Sequence, residues 1–249
     1  MPAPSRHGFT LIELSLVLVI IGLLVGGVLA GKALIQQAEI RAAASSLENL
    51  ETAYRTFQLK YNCIIGDCPN ATDFFGMNYV VVAAGCPPSG GAGNGNGNGD
   101  GFIDKSSGDT SDGSWKCEPR QATKSLQLAN LSPTTENSKC WEYFKGINNS
   151  CAYFYKDDLY GAVPAVKGTS ITWVNHSQNG WWNNAPALSS VEARLIDEKL
   201  DDGIADKGKF RGLDAADGVT YPMISGSCSV SGVYNNNENP SCRALYYLK

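Results

Sequence analysis

The sequence predicts an α+β fold in which one long N-terminal helix carries a small, loop-rich, disulfide-bonded domain built on an antiparallel sheet. Three observations predict it. An apolar run opens at Phe9 and continues to Ala30, and after Glu13 it meets no charge until Lys32. Apolar residues then recur at helical spacing as far as Tyr61. Beyond that point short alternating segments are separated by Gly, Asn and Pro, and all eight cysteines lie there.

The helix is the clearest element. No proline occurs between residues 5 and 68, so nothing in that stretch removes a backbone donor. About 20 apolar residues at 1.5 Å each match a bilayer core of roughly 30 Å, which makes residues 9–31 a candidate span. From Ile40 the pattern becomes one-sided: Ile40, Ala43, Leu47, Leu50, Tyr54, Phe57 and Tyr61 form a stripe, with Arg41, Glu48, Glu51, Arg55 and Lys60 off it. Residues 32–61 therefore read as an amphipathic stalk that needs a domain against one face. The expected division is residues 1–8, 9–31, 32–61, and a globular part over 62–249.

Net charge is −4 and the pI is near 5.2, so no broad basic field exists to draw in nucleic acid. The cysteines stand at 63, 68, 86, 117, 140, 151, 228 and 242. An even count in a chain that reads as exported favours disulfides, and nearest-neighbour pairing (63–68, 86–117, 140–151, 228–242) closes the shortest loops. No two C-x-x-C units occur, and His176 is the one histidine after the first eight residues, so a zinc site has little support.

The first eight residues, Met1 to Gly8, are short, polar and basic, and they precede the apolar run rather than follow it. An ordinary secretory signal has the opposite order and loses its apolar core on cleavage. Glu13 places a carboxylate inside the apolar run, where it needs a partner. Gly8-Phe9-Thr10-Leu11-Ile12-Glu13-Leu14 resembles the processing motif of the type IV prepilin and type II secretion pseudopilin family at every position. The resemblance implies cleavage between Gly8 and Phe9 by a prepilin peptidase, and N-methylation of Phe9. It implies that Glu13 meets the cationic amine of Phe9 on a neighbouring subunit during assembly. The implied partners are the peptidase, other pilin or pseudopilin subunits and the inner-membrane assembly machinery. The implied location is the inner membrane, then a periplasmic or extracellular filament. Major pilins often carry a proline inside the anchor helix; here Leu29-Ala30-Gly31 stands in that neighbourhood, with Gly22, Gly26 and Gly27 upstream. That difference leans toward a pseudopilin or minor subunit.

After the stalk, Cys63-Ile64-Ile65-Gly66-Asp67-Cys68-Pro69-Asn70-Ala71-Thr72-Asp73-Phe74-Phe75-Gly76 is similar to a segment of other prepilin-like proteins. Strands are expected at Tyr79–Ala83, Ala152–Tyr155, Ser170–Val174 and Arg243–Leu248. Ser189-Ser190-Val191-Glu192 reads as a capping box that opens a helix with Leu195, Ile196 and Leu200 on its apolar face and Gly203 after its end. Trp173, Trp181 and Trp182 are expected in the core, with exposure for sugar or partner binding as the alternative.

Calcium is the one cofactor the sequence suggests, at two places. Residues 89–114 are too polar and glycine-rich for a core. Within them Asn96, Asn98, Asp100 and Asp104 fall in a calcium-loop pattern that lacks a leading Asp and has Ser107 in place of the closing Glu. A flexible Asn/Gly loop is the alternative. The second place is Asp197, Asp201 and Asp202, at a helix C-terminus whose dipole opposes them. A solvated turn balanced by Lys199 and Lys207 is the alternative there.

The expected function is a structural filament subunit polymerised through its N-terminal helix. The alternative is a minor or tip subunit whose globular domain binds a surface, sugar or partner. No enzyme is expected: a G-x-S-x-G elbow, a paired-acid cleft and a metal-binding His pair are all missing from the sequence.

Overall fold

The computed structural model of the chain describes residues 8–76, 97, 99–103, 117–131, 144–145, 150–156, 169–174, 186–215 and 226–248. The expected strand at Tyr79–Ala83, Trp181 and Trp182 lie outside the described residues. The chain divides into two compact units, with the boundary between Ala42 and Ala43.

Helix α1 spans Leu11–Tyr61. Its first part is uncovered: Phe9, just before it, is 90% exposed, and the large apolar residues from Leu11 to Ile35 are exposed throughout. A helix that is apolar all round needs lipid or other helices as its surroundings. Of the stripe read from the sequence, Ile40, Ala43, Leu47, Leu50, Tyr54 and Phe57 are buried, and Tyr61 is half-buried. The helix stops at Asn62, which takes a left-handed conformation (φ 54°) and donates its N–H to the Gln58 carbonyl at 2.8 Å. Asn is among the few residues that enter that region at low cost.

The second unit is an α+β domain. Helix α2 (Ala71–Phe75) sets Phe74 and Phe75 against Tyr61, with ring centroids 5.2 and 5.1 Å away. Helix α3 (Cys117–Leu128) packs on strand β2 (Cys151–Lys156). Strands β1 (Phe144–Lys145), β2, β3 (Thr169–Val174) and β8 (Pro240–Leu248) pair antiparallel in that spatial order. Strand β5 (Phe210–Asp214) runs along the edge of β8 opposite β3, and β4 (Leu188–Ser189) pairs with the Pro240–Cys242 end of β8 on the edge opposite β5; both are antiparallel to β8. Two short strands, β6 (Ser229–Val230) and β7 (Val233–Tyr234), form a separate hairpin turned by Ser231 (φ 52°) and Gly232 (φ 80°). Positive φ at both central positions gives the turn whose twist matches flanking strands.

Register places Ala152, Phe154, Ile171, Trp173, Ala244, Tyr246 and Phe210 on one face of the sheet. The stalk part of α1 meets that face, where Tyr54 stacks on Phe154 at 6.0 Å. On the other face Leu213, Leu245 and Tyr247 cluster. Strand β8 is thus buried on both sides from Ser241 to Leu248, and Trp173 is buried as expected.

Helix α4 (Ser190–Leu200) begins at the capping box read from the sequence. Glu192 N–H donates to Ser189 Oγ at 3.1 Å, and Ser189 N–H donates back to Glu192 Oε2 at 2.8 Å. Its buried side is Ala193, Ile196 and Asp197, while Leu195 and Leu200 are only half-buried. The helix packs on β5. Disulfides join Cys63 to Cys68 and Cys228 to Cys242, with Cα separations of 5.3 and 4.8 Å, two of the four expected pairs. Cys151 is disulfide-bonded as well, but the side chains of Cys86, Cys117 and Cys140 lie outside the described residues.

Candidate functional site: the N-terminal junction and the acidic groups

Gly8, Phe9 and Thr10 precede α1 without regular structure, and all three are exposed. The peptide bond between Gly8 and Phe9 is therefore in accessible, non-helical backbone, which is the form a peptidase can bind. Thr10 is the residue that sequence reasoning passed over. Its N–H and its Oγ1 hydroxyl each donate to Glu13 Oε2 at 2.8 Å, and Glu13 N–H donates to Thr10 Oγ1 at 3.4 Å. This reciprocal pair is a capping box, satisfying donors that the first helical turn leaves open. Its signal was present as Thr10-x-x-Glu13 ahead of an apolar run. Glu13 thus has a local partner at the start of the helix, and its carboxylate is exposed in the isolated chain.

At the end of α4, Asp197, Asp201 and Asp202 each bring a carboxylate oxygen within 4.8 Å of the others. The structure thus brings together the three acids named from the sequence as candidate calcium ligands. Their donors were not anticipated. Tyr234 OH, from β7, donates to Asp197 Oδ2 at 2.8 Å, and Gly203 N–H reaches Asp197 Oδ1 at 3.3 Å. Ile204 N–H donates to Asp202 Oδ1 at 2.8 Å, and Lys209 N–H donates to Asp201 Oδ2. Gly208 passes so close that a Cβ there would overlap the Asp201 carboxylate, in a left-handed backbone (φ 69°). Lys199 and Lys207, named from the sequence as balancing charges, are exposed. Asp197 is fully buried, and burial pushes its carboxyl up to about 7, aided by Asp202 and Asp201 and opposed by Tyr234 and Gly203. Burial and the facing Asp197 push the Tyr234 hydroxyl up as well. Three converging carboxylates are a chemically suitable donor set for a hard cation. The same oxygens also close the 201–212 loop without one.

Of the other calcium residues, Asn96, Asn98 and Asp104 lie outside the described residues. Asp100 is exposed and accepts Phe102 N–H on Oδ1 at 2.9 Å. The described glycines of this run dock on Asp67, a buried residue between Cys63 and Cys68. Gly99 N–H donates to Asp67 Oδ1 at 2.6 Å and Gly101 N–H to Oδ2 at 2.8 Å. Gly97 N–H donates to the Cys68 carbonyl at 2.9 Å, and Ile103 is fully buried. Within the 89–114 segment, Gly97, Gly99, Gly101 and Ile103 are thus docked on the domain. Burial raises the Asp67 carboxyl, against the Gly101 and Gly99 donors that lower it.

A third charged group ties the stalk to the sheet. Glu51 Oε2 accepts Tyr246 OH at 2.8 Å and pairs with Lys209 Nζ at 2.5 Å, while Oε1 pairs with Arg55 at 2.8 Å. Burial pushes the Glu51 carboxyl up, but Lys209, Tyr246 and Arg55 outweigh it and hold it below its ordinary value.

Comparison with known proteins adds one finding. The model of the prokaryotic N-terminal methylation motif matches residues 4–29, the junction and the first part of the apolar helix. No curated protein and no solved structure matches the chain. The matched family is one of structural subunits, and the one exposed apolar helix long enough to cross a membrane among the described residues is consistent with inner-membrane anchoring before assembly. With Gly8, Phe9 and Glu13 in place at an exposed junction, the chain carries the signal of the type IV prepilin and pseudopilin family.

Proposed function

We propose that the chain is a structural subunit of a type IV pilus-like or type II secretion pseudopilus filament. Prepilin peptidase cuts it between Gly8 and Phe9 and methylates Phe9; the subunit then waits in the inner membrane on residues 9–31 and polymerises through its N-terminal helix. The carrying observation is the coincidence of the methylation motif at residues 4–29 with a helix whose apolar side chains are exposed all round. Such a surface is stable in lipid, and equally when enclosed by neighbouring helices of the same kind. Glu13 supplies register, because a carboxylate enclosed among apolar helices needs a cation and the Phe9 amine of a neighbour is the one provided.

Processing is tested by intact-mass measurement of membrane or filament material. The mature chain is expected to begin at Phe9 and to hold 249 − 8 = 241 residues. A mature N-terminus beyond Ala30 means that the apolar run is an ordinary removable signal, and the filament reading then fails.

A further inference from the structure

The disulfides Cys63–Cys68 and Cys228–Cys242 differ in how open they are to a second thiol. Cys228 and Cys242 are both fully buried. Cys68 is fully buried as well, but its partner Cys63 is only half-buried and follows the exposed Asn62 at the end of α1. Thiol–disulfide exchange begins when a thiolate reaches one of the two sulfurs, so access decides which disulfide reacts. Of these four cysteines, Cys63 is the one with solvent exposure.

The turn that this disulfide closes holds two neighbours. The first is helix α3: Gly66 N–H donates to Ser125 Oγ at 3.3 Å, and Gly66 (φ 80°) lies so close that a Cβ there would overlap the Glu118 carbonyl oxygen. The second is the glycine run. Asp67 accepts Gly99 N–H on Oδ1 at 2.6 Å and Gly101 N–H on Oδ2 at 2.8 Å, and the Cys68 carbonyl accepts Gly97 N–H at 2.9 Å. A Cβ at Gly97 would overlap the Asp67 backbone, so the contact is close as well as bonded. All three acceptors therefore belong to two adjacent residues, one inside the disulfide loop and one closing it.

We propose that Cys63–Cys68 is a thiol–disulfide exchange site for a dithiol, and that its oxidation latches Gly97, Gly99 and Gly101 to the domain. A thiolate of the dithiol attacks Cys63 Sγ, and the electron pair of the broken S–S bond leaves on Cys68 Sγ, which takes up a proton. The second thiol of the reductant, as thiolate, then attacks the sulfur joined to Cys63 and releases Cys63, which is protonated in turn. The dithiol ends as a disulfide, and Cys63 and Cys68 end as two thiols. Opening the ring restores conformational freedom to the 63–68 turn, so Asp67 and Cys68 no longer hold a fixed spacing for three glycine donors. Cys228–Cys242 stays closed under the same conditions, because reaching either sulfur requires opening of the buried strand β8. Nothing in the latch depends on polymerisation.

The test treats the oxidised full-length chain in detergent with dithiothreitol for increasing times, traps free thiols by alkylation and maps the labelled peptides. Cys63 and Cys68 are expected to be labelled at least about tenfold faster than Cys228 and Cys242, since the buried pair waits on a larger opening of the fold. Labelling of Cys228 and Cys242 first, or of all four together, overturns the exchange site. At the stage where Cys63 and Cys68 alone are labelled, site-resolved amide hydrogen exchange reads the latch. Exchange at Gly99 and Gly101 should rise at least about tenfold, the scale of losing a hydrogen bond to a charged acceptor, while the amides of β8 stay protected. Unchanged protection at Gly99 and Gly101 overturns the latch. The double variant Cys63→Ser, Cys68→Ser should show the same loosened glycines with β8 still protected. If that variant loses protection in β8 as well, the disulfide supports the whole domain and the local latch is overturned.

Discussion

Asp197 shows how one residue can be both buried and useful. It sits at a helix C-terminus, where the dipole opposes a negative charge, and among Asp201 and Asp202, which oppose it further. Tyr234 OH and Gly203 N–H face it and supply the donors that make its burial tolerable. With a folded-state pKa of about 7 against an ordinary 3.8, the folded protein holds the proton more tightly than the unfolded chain. Its contribution to stability is therefore full below pH 3.8 and is lost as pH rises through about 7. In the presence of a chelator, the wild type should lose stability relative to Asp197→Asn between those limits, by at most about 4 kcal/mol. Denaturant unfolding at a series of pH values reads the difference, and a flat difference contradicts the assignment. Added calcium provides the sharper contrast. A bound cation favours the ionised carboxylate, so it reverses the slope if the three acids form a calcium site.

At the scale of elements, the attachment of α1 to the sheet depends on Glu51 as well as on the apolar stripe. Sequence periodicity puts Glu51 off the stripe, yet it meets Tyr246 from strand β8 and Lys209, the residue just before β5. Neither partner could be found from spacing, because they lie 195 and 158 residues away. Replacing Glu51 by Ala strands the Lys209 ammonium and the Tyr246 hydroxyl, and should cost about 2 kcal/mol. Glu51 is held below its ordinary value, so the stabilisation is present at neutral pH and is lost as pH falls through its folded pKa. Thermal unfolding of wild type and Glu51→Ala should converge in acid. A gap that stays constant from neutral pH into acid contradicts the ionic account.

Some elements were legible in the sequence and others were not, for physical reasons. The 3.6-residue stripe from Ile40 to Phe57, the alternation in β2 and β3, and the Ser189–Glu192 capping box are local patterns, and each appears where its spacing puts it. The pairs Cys63–Cys68 and Cys228–Cys242 follow from short loop closure. Strands β5, β6 and β7 went unread because they have only two to five residues, and Gly212 interrupts β5 while Gly232 adjoins β7. The three acids of α4 were legible as a group, but Tyr234 comes from a hairpin 37 residues on. Asp67 was visible only as part of a turn-rich segment, since the glycines that need it are over 30 residues away.

For the whole molecule, the account turns on what surrounds α1 before and after assembly. Alone in the membrane, Glu13 shares the helix start with Thr10 and can stay near the interface in contact with water. Within a filament it is enclosed by apolar helices and depends on the Phe9 amine of a neighbour. The most direct measurement is the level of Glu13→Ala in the sheared extracellular or periplasmic filament fraction against its membrane level, in cells lacking the wild-type copy. The account predicts normal cleavage after Gly8, a normal membrane level and filament lost or strongly reduced, with Glu13→Asp intermediate because its carboxylate is one methylene shorter in reach. Wild-type amounts of filament from Glu13→Ala would contradict it.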